Sequence, residues 1–291
     1  MLEEVKKYFS MVRFAHTVFA MPFALIGFFL GIKAAGSFDW LLLLEVVLCM
    51  VFARNTAMGF NRWLDRDIDA MNPRTSSREI PAGKISPGNA MIFIVVNIIL
   101  FIATTFFINR LVFYLSPIAL AVVMFYSYTK RFTPLCHFVL GCGLALAPIG
   151  AYLAVTGEFA VLPVVYSLMV LTWVSGFDVI YSLQDADFDS GKGLHSIPQW
   201  LGIKGALRLS VAVHVLTALL VFVAGYLQGA GLMFAIGSGI FCVLLARQHS
   251  IVKADDLSRV NVAFGTFNGV ASCVFAAFDI VDILFGNANF I

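Results

Sequence analysis

The stretch from Trp40 to Asp69, WLLLLEVVLCMVFARNTAMGFNRWLDRDID, decides the fold. Its first part, Trp40–Phe60, is apolar for long enough to cross a hydrocarbon core of about 30 Å as a helix. Its second part places Asn61, Asp65 and Asp69 at i, i+4 and i+8, so a helix that continues past the membrane edge gathers them into one polar stripe. Arg54 falls on nearly the same face two turns deeper, whereas Asp67 points elsewhere and is expected to be a solvated surface residue.

Outward from this segment the chain keeps the same character. Of 291 residues, 60% are hydrophobic and only 12% charged, which places most of the protein in lipid rather than water. Apolar stretches predict spans near residues 15–35, 40–60, 90–108, 111–128, 135–155, 161–182, 206–227, 231–245 and 262–285, an all-α polytopic membrane protein of about nine helices. The first is not expected to be a cleaved signal peptide, because it lacks a small-residue cleavage site and another span follows at once. No linker divides the chain, so residues 1–291 are expected to form one membrane domain. Lys and Arg concentrate before the first span and in the loops after the second, fourth, sixth and eighth, with only Lys33 and Arg110 opposite. The positive-inside rule then places the N-terminus and the charged loops in the cytoplasm and Ile291 outside, as expected for a bacterial inner-membrane protein. The net charge of +2 gives no reason to expect a nucleic-acid partner. The five cysteines lack metal-ligand spacing and read as packing residues, and His137 and His214 read as helix-to-helix hydrogen-bonding groups.

A second acidic cluster repeats the first. Tyr181, Asp185 and Asp189 again stand at i, i+4 and i+8, on the end of another even-numbered span, with Asp178 lying deeper within the apolar segment. An ionisable residue there is expensive and functional by default. Asp65 and Asp185 are 120 positions apart, about four spans, which suggests a duplicated four-helix unit. Two carboxylate stripes at one membrane face repel one another unless cations neutralise them. Oxygen donors without Cys or His favour magnesium, which is normally shared with phosphate oxygens, so the implied ligand is a diphosphate. Arg74, Arg78, Lys84, Lys130, Arg131 and Lys192 beside the stripes fit that ligand.

At these residues the sequence resembles the UbiA superfamily of membrane prenyltransferases. Asn61, Asp65 and Asp69 with the following NPRTSSR (72–78) look like its N-x-x-x-D-x-x-x-D motif and R-T-x-x-R extension, and Tyr181, Asp185 and Asp189 look like its Y-x-x-x-D-x-x-x-D motif. The resemblance implies nine helices around a central cavity, two magnesium ions and a lateral opening for a prenyl tail. The segment RFAHTVFAMPFA (13–24) and the run YTKR (128–131) look most like the 4-hydroxybenzoate polyprenyltransferase branch, which serves ubiquinone synthesis. Glu79 departs from the proline many members carry there, and His195-Ser196 replaces a lysine before serine. These departures resemble a bacterial subgroup associated with menaquinone, whose acceptor is 1,4-dihydroxy-6-naphthoate or another dihydroxynaphthoate.

The expected chemistry is ionisation of a polyprenyl diphosphate and attack on the allylic cation by a small aromatic acid. Asn61, Asp65, Asp69, Asp185 and Asp189 are expected to hold magnesium, with Tyr181 and Asp178 in the catalytic set. Arg13, His16, Arg54, Arg74, Arg78, Lys130, Arg131 and Lys192 are expected to bind the diphosphate or the acceptor carboxylate. The 29 phenylalanines could line the tail tunnel, although packing accounts for most of them. A membrane transporter is the competing class, because intramembrane acids also mark ion pathways, but here the acids gather on one face. Haem, a chlorophyll precursor or a glycerol phosphate lipid are further acceptors within the same family.

Overall fold

The computed structural model describes residues 2–286, and the side chains of 2–5 and 14–16 stand outside that description. The expected ligand His16 and the expected outer terminus Ile291 therefore lie outside the described side chains and residues. Twelve α-helices follow one another: α1 (Leu2–Met11), α2 (Met21–Ala35), α3 (Trp40–Leu64), α4 (Arg66–Met71), α5 (Pro87–Ile108), α6 (Arg110–Thr129), α7 (Cys136–Thr156), α8 (Val161–Ser182), α9 (Ala186–Gly191), α10 (Ile197–Gln228), α11 (Leu232–Ile251) and α12 (Asn268–Phe285). Among the described residues no strand forms beyond an isolated bridge between Lys253 and Asp256. Among the described residues eight helical segments are long and apolar enough to cross a membrane, and α2 is a shorter apolar helix of 15 residues.

The nine expected spans all have counterparts, with three differences. Residues 15–35 are not one helix: a 3-10 turn over Phe14–Phe19 precedes α2, and Pro22 stands in its first turn, where a missing N–H costs nothing. The span expected at 206–227 begins at Ile197, because Ser196 accepts from the Gln199 amide at 3.4 Å and Pro198 lies in the first turn. It kinks at Gly202, whose φ of 68° and ψ of 168° suit glycine alone. The last span opens with a π-helical stretch, Val262–Phe267, before α12.

Packing arranges the long helices as two groups of four, α3, α5, α6, α7 and α8, α10, α11, α12, joined by α7 against α8 and by α2, which packs on both α7 and α12. This grouping matches the four-span interval between the acidic clusters. The second group is filled by rings: Trp173, Phe177, Phe234, Phe241 and Phe275 interlock with Phe19 and Phe23. The first group instead encloses a cavity of about 390 Å³. Aliphatic and small side chains line it, including Ala57, Leu120, Val123, Leu144 and Ala147, and Phe101 and Phe159 are its two phenylalanines. On α3 the lining runs from Val46 to Met58, a depth of about 18 Å at 1.5 Å per residue.

Glycines set the closest helix approach. A Cβ placed on Gly27 of α2 would meet the Pro148 carbonyl oxygen of α7 at 2.0 Å, backbone that cannot swing aside. Small residues at such crossings let membrane helices gain packing that lipid does not supply. Gly27→Ala is predicted to cost about 1–3 kcal/mol through forced separation. Gly239→Ala, where a Cβ meets nothing within 4 Å, is predicted to leave thermal unfolding in detergent unchanged or slightly improved.

Candidate active site

Both acidic motifs break their helix at the same place. α3 ends at Leu64 and α4 starts at Arg66, leaving Asp65 with φ −91° and ψ 4°. In the second motif α8 ends at Ser182, a 3-10 turn covers Leu183–Asp185, and α9 follows, leaving Asp185 with φ −106° and ψ 1°. Both occupy the sparsely populated bridge region where active-site residues often sit. The continuous stripes expected from the spacing are therefore each bent at their first aspartate. In the first motif the Asp69 N–H still bonds the Asp65 carbonyl at 2.7 Å, which keeps the two acids on neighbouring turns.

Three of the four motif carboxylates are compensated by a cation from another loop or turn. Asp65, 2% exposed, meets Lys130 Nζ at 2.5 Å and Arg131 Nη2 at 2.9 Å. Asn61 Nδ2 donates to Asp65 Oδ2 at 3.2 Å and to Ser127 Oγ at 3.4 Å. Arg131 also donates to the Leu64 carbonyl at 3.2 Å, satisfying an open carbonyl at the end of α3. Asp69 pairs with Arg78 Nη1 at 2.6 Å, and Thr75 Oγ1 donates to the Asp69 carbonyl at 3.1 Å.

The two motifs touch through the first loop. Arg74 Nε donates to Asp185 Oδ1 at 2.8 Å and its Nη2 bonds Oδ2, a two-pronged grip, while Nη1 donates to the Tyr181 hydroxyl at 3.1 Å. Its guanidinium also lies 5.5 Å from the Tyr181 ring centre. Burial works against the Arg74 charge, but the Asp185 bond and charge, followed by Tyr181, more than offset it and raise the Arg74 pKa. Asn72 Nδ2 donates to Asp185 Oδ1 at 3.1 Å, and its Oδ1 accepts from the Arg74 amide at 2.9 Å. Asp189 is half-buried, bonded to Ser196 and within electrostatic reach of Asp185 and Lys130. The His195 amide donates to the Lys130 carbonyl at 2.7 Å, so the α6–α7 turn is held by both motifs.

The remaining expected residues divide. Arg54 lines the cavity and donates to the Arg13 carbonyl at 3.2 Å. Arg13 is exposed, and its φ of 45° makes it the single non-glycine residue with positive φ among the described residues. Lys192 is exposed at the end of α9, with its amide bonded to the Phe188 carbonyl at 3.1 Å. Asp178 meets His137 at 2.7 Å. Asp67 is surface-exposed, as expected.

Sequence reasoning missed three groups. Arg62, read only as a topology signal, is 6% exposed, touches Asn61 Oδ1 at 3.4 Å and feels Arg78, Asp69 and Tyr126. Tyr126 lines the cavity within reach of both Asp65 and Asp178. Asn72 bridges the motifs, and its position directly before Pro73 was the available signal for a turn.

Among the described residues no three acidic, histidine or cysteine side chains form a preassembled metal group. The donor set nevertheless suits a hard cation. It is all oxygen, and Asp69 Oδ2 is buried without a hydrogen-bond partner among the described residues. Arg78 Nε and Arg54 Nε are likewise buried donors without a partner, a pattern suited to an anion.

A membrane-embedded helical enzyme with a polar, charge-paired mouth over an apolar cavity is the class that fold and site define. Residues 20–271 match the model of the UbiA prenyltransferase family, and the chain belongs to that family. It is 30% identical to a 4-hydroxybenzoate octaprenyltransferase of Aliivibrio fischeri (strain ATCC 700601 / ES114) over 258 residues, covering 85% of this chain and 87% of the relative. The apo structure of a UbiA homologue from Aeropyrum pernix K1 superposes with a TM-score of 0.83 at 31% identity, covering 92% of this chain and 98% of that one. A UbiA homologue from Archaeoglobus fulgidus, solved bound to GPP and Mg²⁺, shares the fold with a TM-score of 0.76 at 20% identity over 96% of this chain and 99% of its own. The protein is thus a polytopic membrane prenyltransferase.

The Arg74 grip yields a prediction. Lysine places one nitrogen where arginine places three, so Arg74→Lys forfeits charge-assisted bonds worth about 1.5–3 kcal/mol. Prenyl transfer in isolated membranes is expected to fall at least about tenfold in kcat/KM, at unchanged protein level.

Proposed function

We propose that the protein transfers a polyprenyl group from a polyprenyl diphosphate to 4-hydroxybenzoate, in ubiquinone-type quinone synthesis. The observation that carries this reading is the juxtaposition of the charge-paired mouth with the apolar cavity. Arg54 and Tyr126 line the cavity while Tyr126 also feels Asp65. A substrate with an anionic head and a long hydrocarbon tail matches that polarity step.

Asp65, Asp69, Asp185 and Asp189, with Asn61 as neutral partner, would hold magnesium, which when bound supplies charge neutralisation to the departing diphosphate. Arg74, Arg78, Lys130 and Arg131 hold three of these carboxylates, Asp185, Asp69 and Asp65, in the resting protein. Their guanidinium and ammonium groups are the side chains placed to swing onto diphosphate oxygens. Arg54, which lines the cavity, and buried Arg62 beside Asn61 are guanidinium groups suited to an acceptor carboxylate. The apolar lining excludes water from the allylic cation until the electron-rich ring attacks. The charged loops and the N-terminus are assigned to the cytoplasmic side of the inner membrane by their Lys and Arg content.

The relative named as a 4-hydroxybenzoate enzyme favours that acceptor, while Glu79 and His195 keep a dihydroxynaphthoate as the second reading. Incubating membranes with each acceptor and one labelled prenyl diphosphate, then reading product masses, separates them. Asp65→Ala and Asp185→Ala are each predicted to leave the protein in the membrane and abolish transfer. Chelation by EDTA is predicted to do the same, with activity restored by added magnesium. Full transfer by either variant would remove the carboxylate assignment.

A further inference from the structure

We propose that Asp178, oriented by His137, is the base that accepts the ring proton of the alkylated acceptor; this rests on the prenyl-transfer reading above. His137 stands in the first turn of α7 and Asp178 within α8. His137 Nδ1 and Asp178 Oδ2 are 2.7 Å apart. On its other side His137 Nε2 lies 3.3 Å from the Ile197 amide at the start of α10. A backbone amide only donates, so Nε2 carries a lone pair and the imidazole proton sits on Nδ1, directed at the carboxylate. The tautomer and the ring plane are both fixed by the packing of α10 against α8.

A histidine–aspartate pair inside a helical bundle usually does no more than satisfy buried polar atoms. The same protein contains that ordinary case. Asp279 is 0% exposed, and both its oxygens are bonded, one by the Tyr166 hydroxyl at 2.6 Å and the other by Gln228 at 2.9 Å. Asp178 differs in each respect. His137 is buried, but the Asp178 side chain is 20% exposed, and among the described residues its Oδ1 accepts no hydrogen bond. The carboxylate also lies within electrostatic reach of cavity-lining Tyr126, which in turn feels Asp65. One oxygen is anchored by His137, and the other is left without a hydrogen bond among the described residues on a partly exposed carboxylate near Tyr126.

The step balances as follows. The diphosphate departs with the electron pair of its C–O bond, and the ring carbon forms the new C–C bond by giving a π-electron pair to the allylic cation. The cationic ring then gives its proton to Asp178 Oδ1, and the C–H electron pair restores aromaticity. Asp178 passes the proton to water once product leaves. His137 keeps its own proton throughout and is a positioning residue.

The test uses acceptor deuterated at the attacked ring position, with the full-length protein in membranes. Wild-type turnover is expected to show no isotope effect. Asp178→Asn is expected to lower kcat by about a hundredfold or more with little change in acceptor KM, and to reveal an isotope effect because proton loss has become slow. His137→Asn keeps an N–H close to the Nδ1 position and is expected to hold kcat within about tenfold of wild type, whereas His137→Gln, whose amide reaches the Nε2 side, is expected to fall with Asp178→Asn. Unchanged kcat in Asp178→Asn, a loss without an isotope effect, or equal loss in the two His137 variants overturns the proposal alone. Absence of prenyl transfer by the wild-type protein overturns the reading beneath it.

Discussion

A carboxylate at the edge of a bilayer loses much of its hydration, and a cation standing beside it offsets that loss. Asp65, Asp69 and Asp185 each meet that condition with a partner brought by another loop or turn: Lys130 and Arg131, Arg78, and Arg74. The pairing therefore shapes the chain as well as balancing charge. It fastens the end of α3 to the α6–α7 turn, folds the first loop back on itself and ties it across to the end of α8. Removing one member of a well-buried pair typically costs about 3–5 kcal/mol, so the architecture of the mouth and its charge pattern stand or fall together. The same economy makes the mouth responsive, because an arriving anion competes for the very cations that hold the acids.

Much of this was legible in the chain itself. Long apolar runs reported the spans because lipid tolerates no other backbone arrangement than one with its hydrogen bonds closed. The repeated spacing of Asn61, Asp65, Asp69 and Tyr181, Asp185, Asp189 reported a paired site, since two helix ends carrying matched acids are hard to explain separately. Asp178 announced itself by its depth.

What escaped the sequence was pairing and local geometry. Spacing places side chains on a helix face only while the helix lasts, and both motifs bend at their first aspartate. Arg62 was hidden because its neighbours Arg78 and Asp69 come from a loop that folds back in space, so its burial is a tertiary fact. His137 looked bland for the same reason: its meaning comes from Asp178 and Ile197, 41 and 60 positions away. The abundance of phenylalanine pointed to packing without saying where. Hydropathy alone does not say which group of helices receives the rings, and here they fill the second group while aliphatic side chains line the cavity.

The contact of Gly27 with Pro148 has a consequence for how such an enzyme diversifies. Where two backbones already touch, a wall cannot move outward or inward by changing a side chain. The α2–α7 seam is thereby fixed, and the shape of the chamber is set instead by the side chains that α3, α5, α6 and α7 turn into it, such as Met50, Phe101, Leu115 and Leu144. The size of the chamber can thus be retuned one side chain at a time while the backbone frame around the glycine seam stays put.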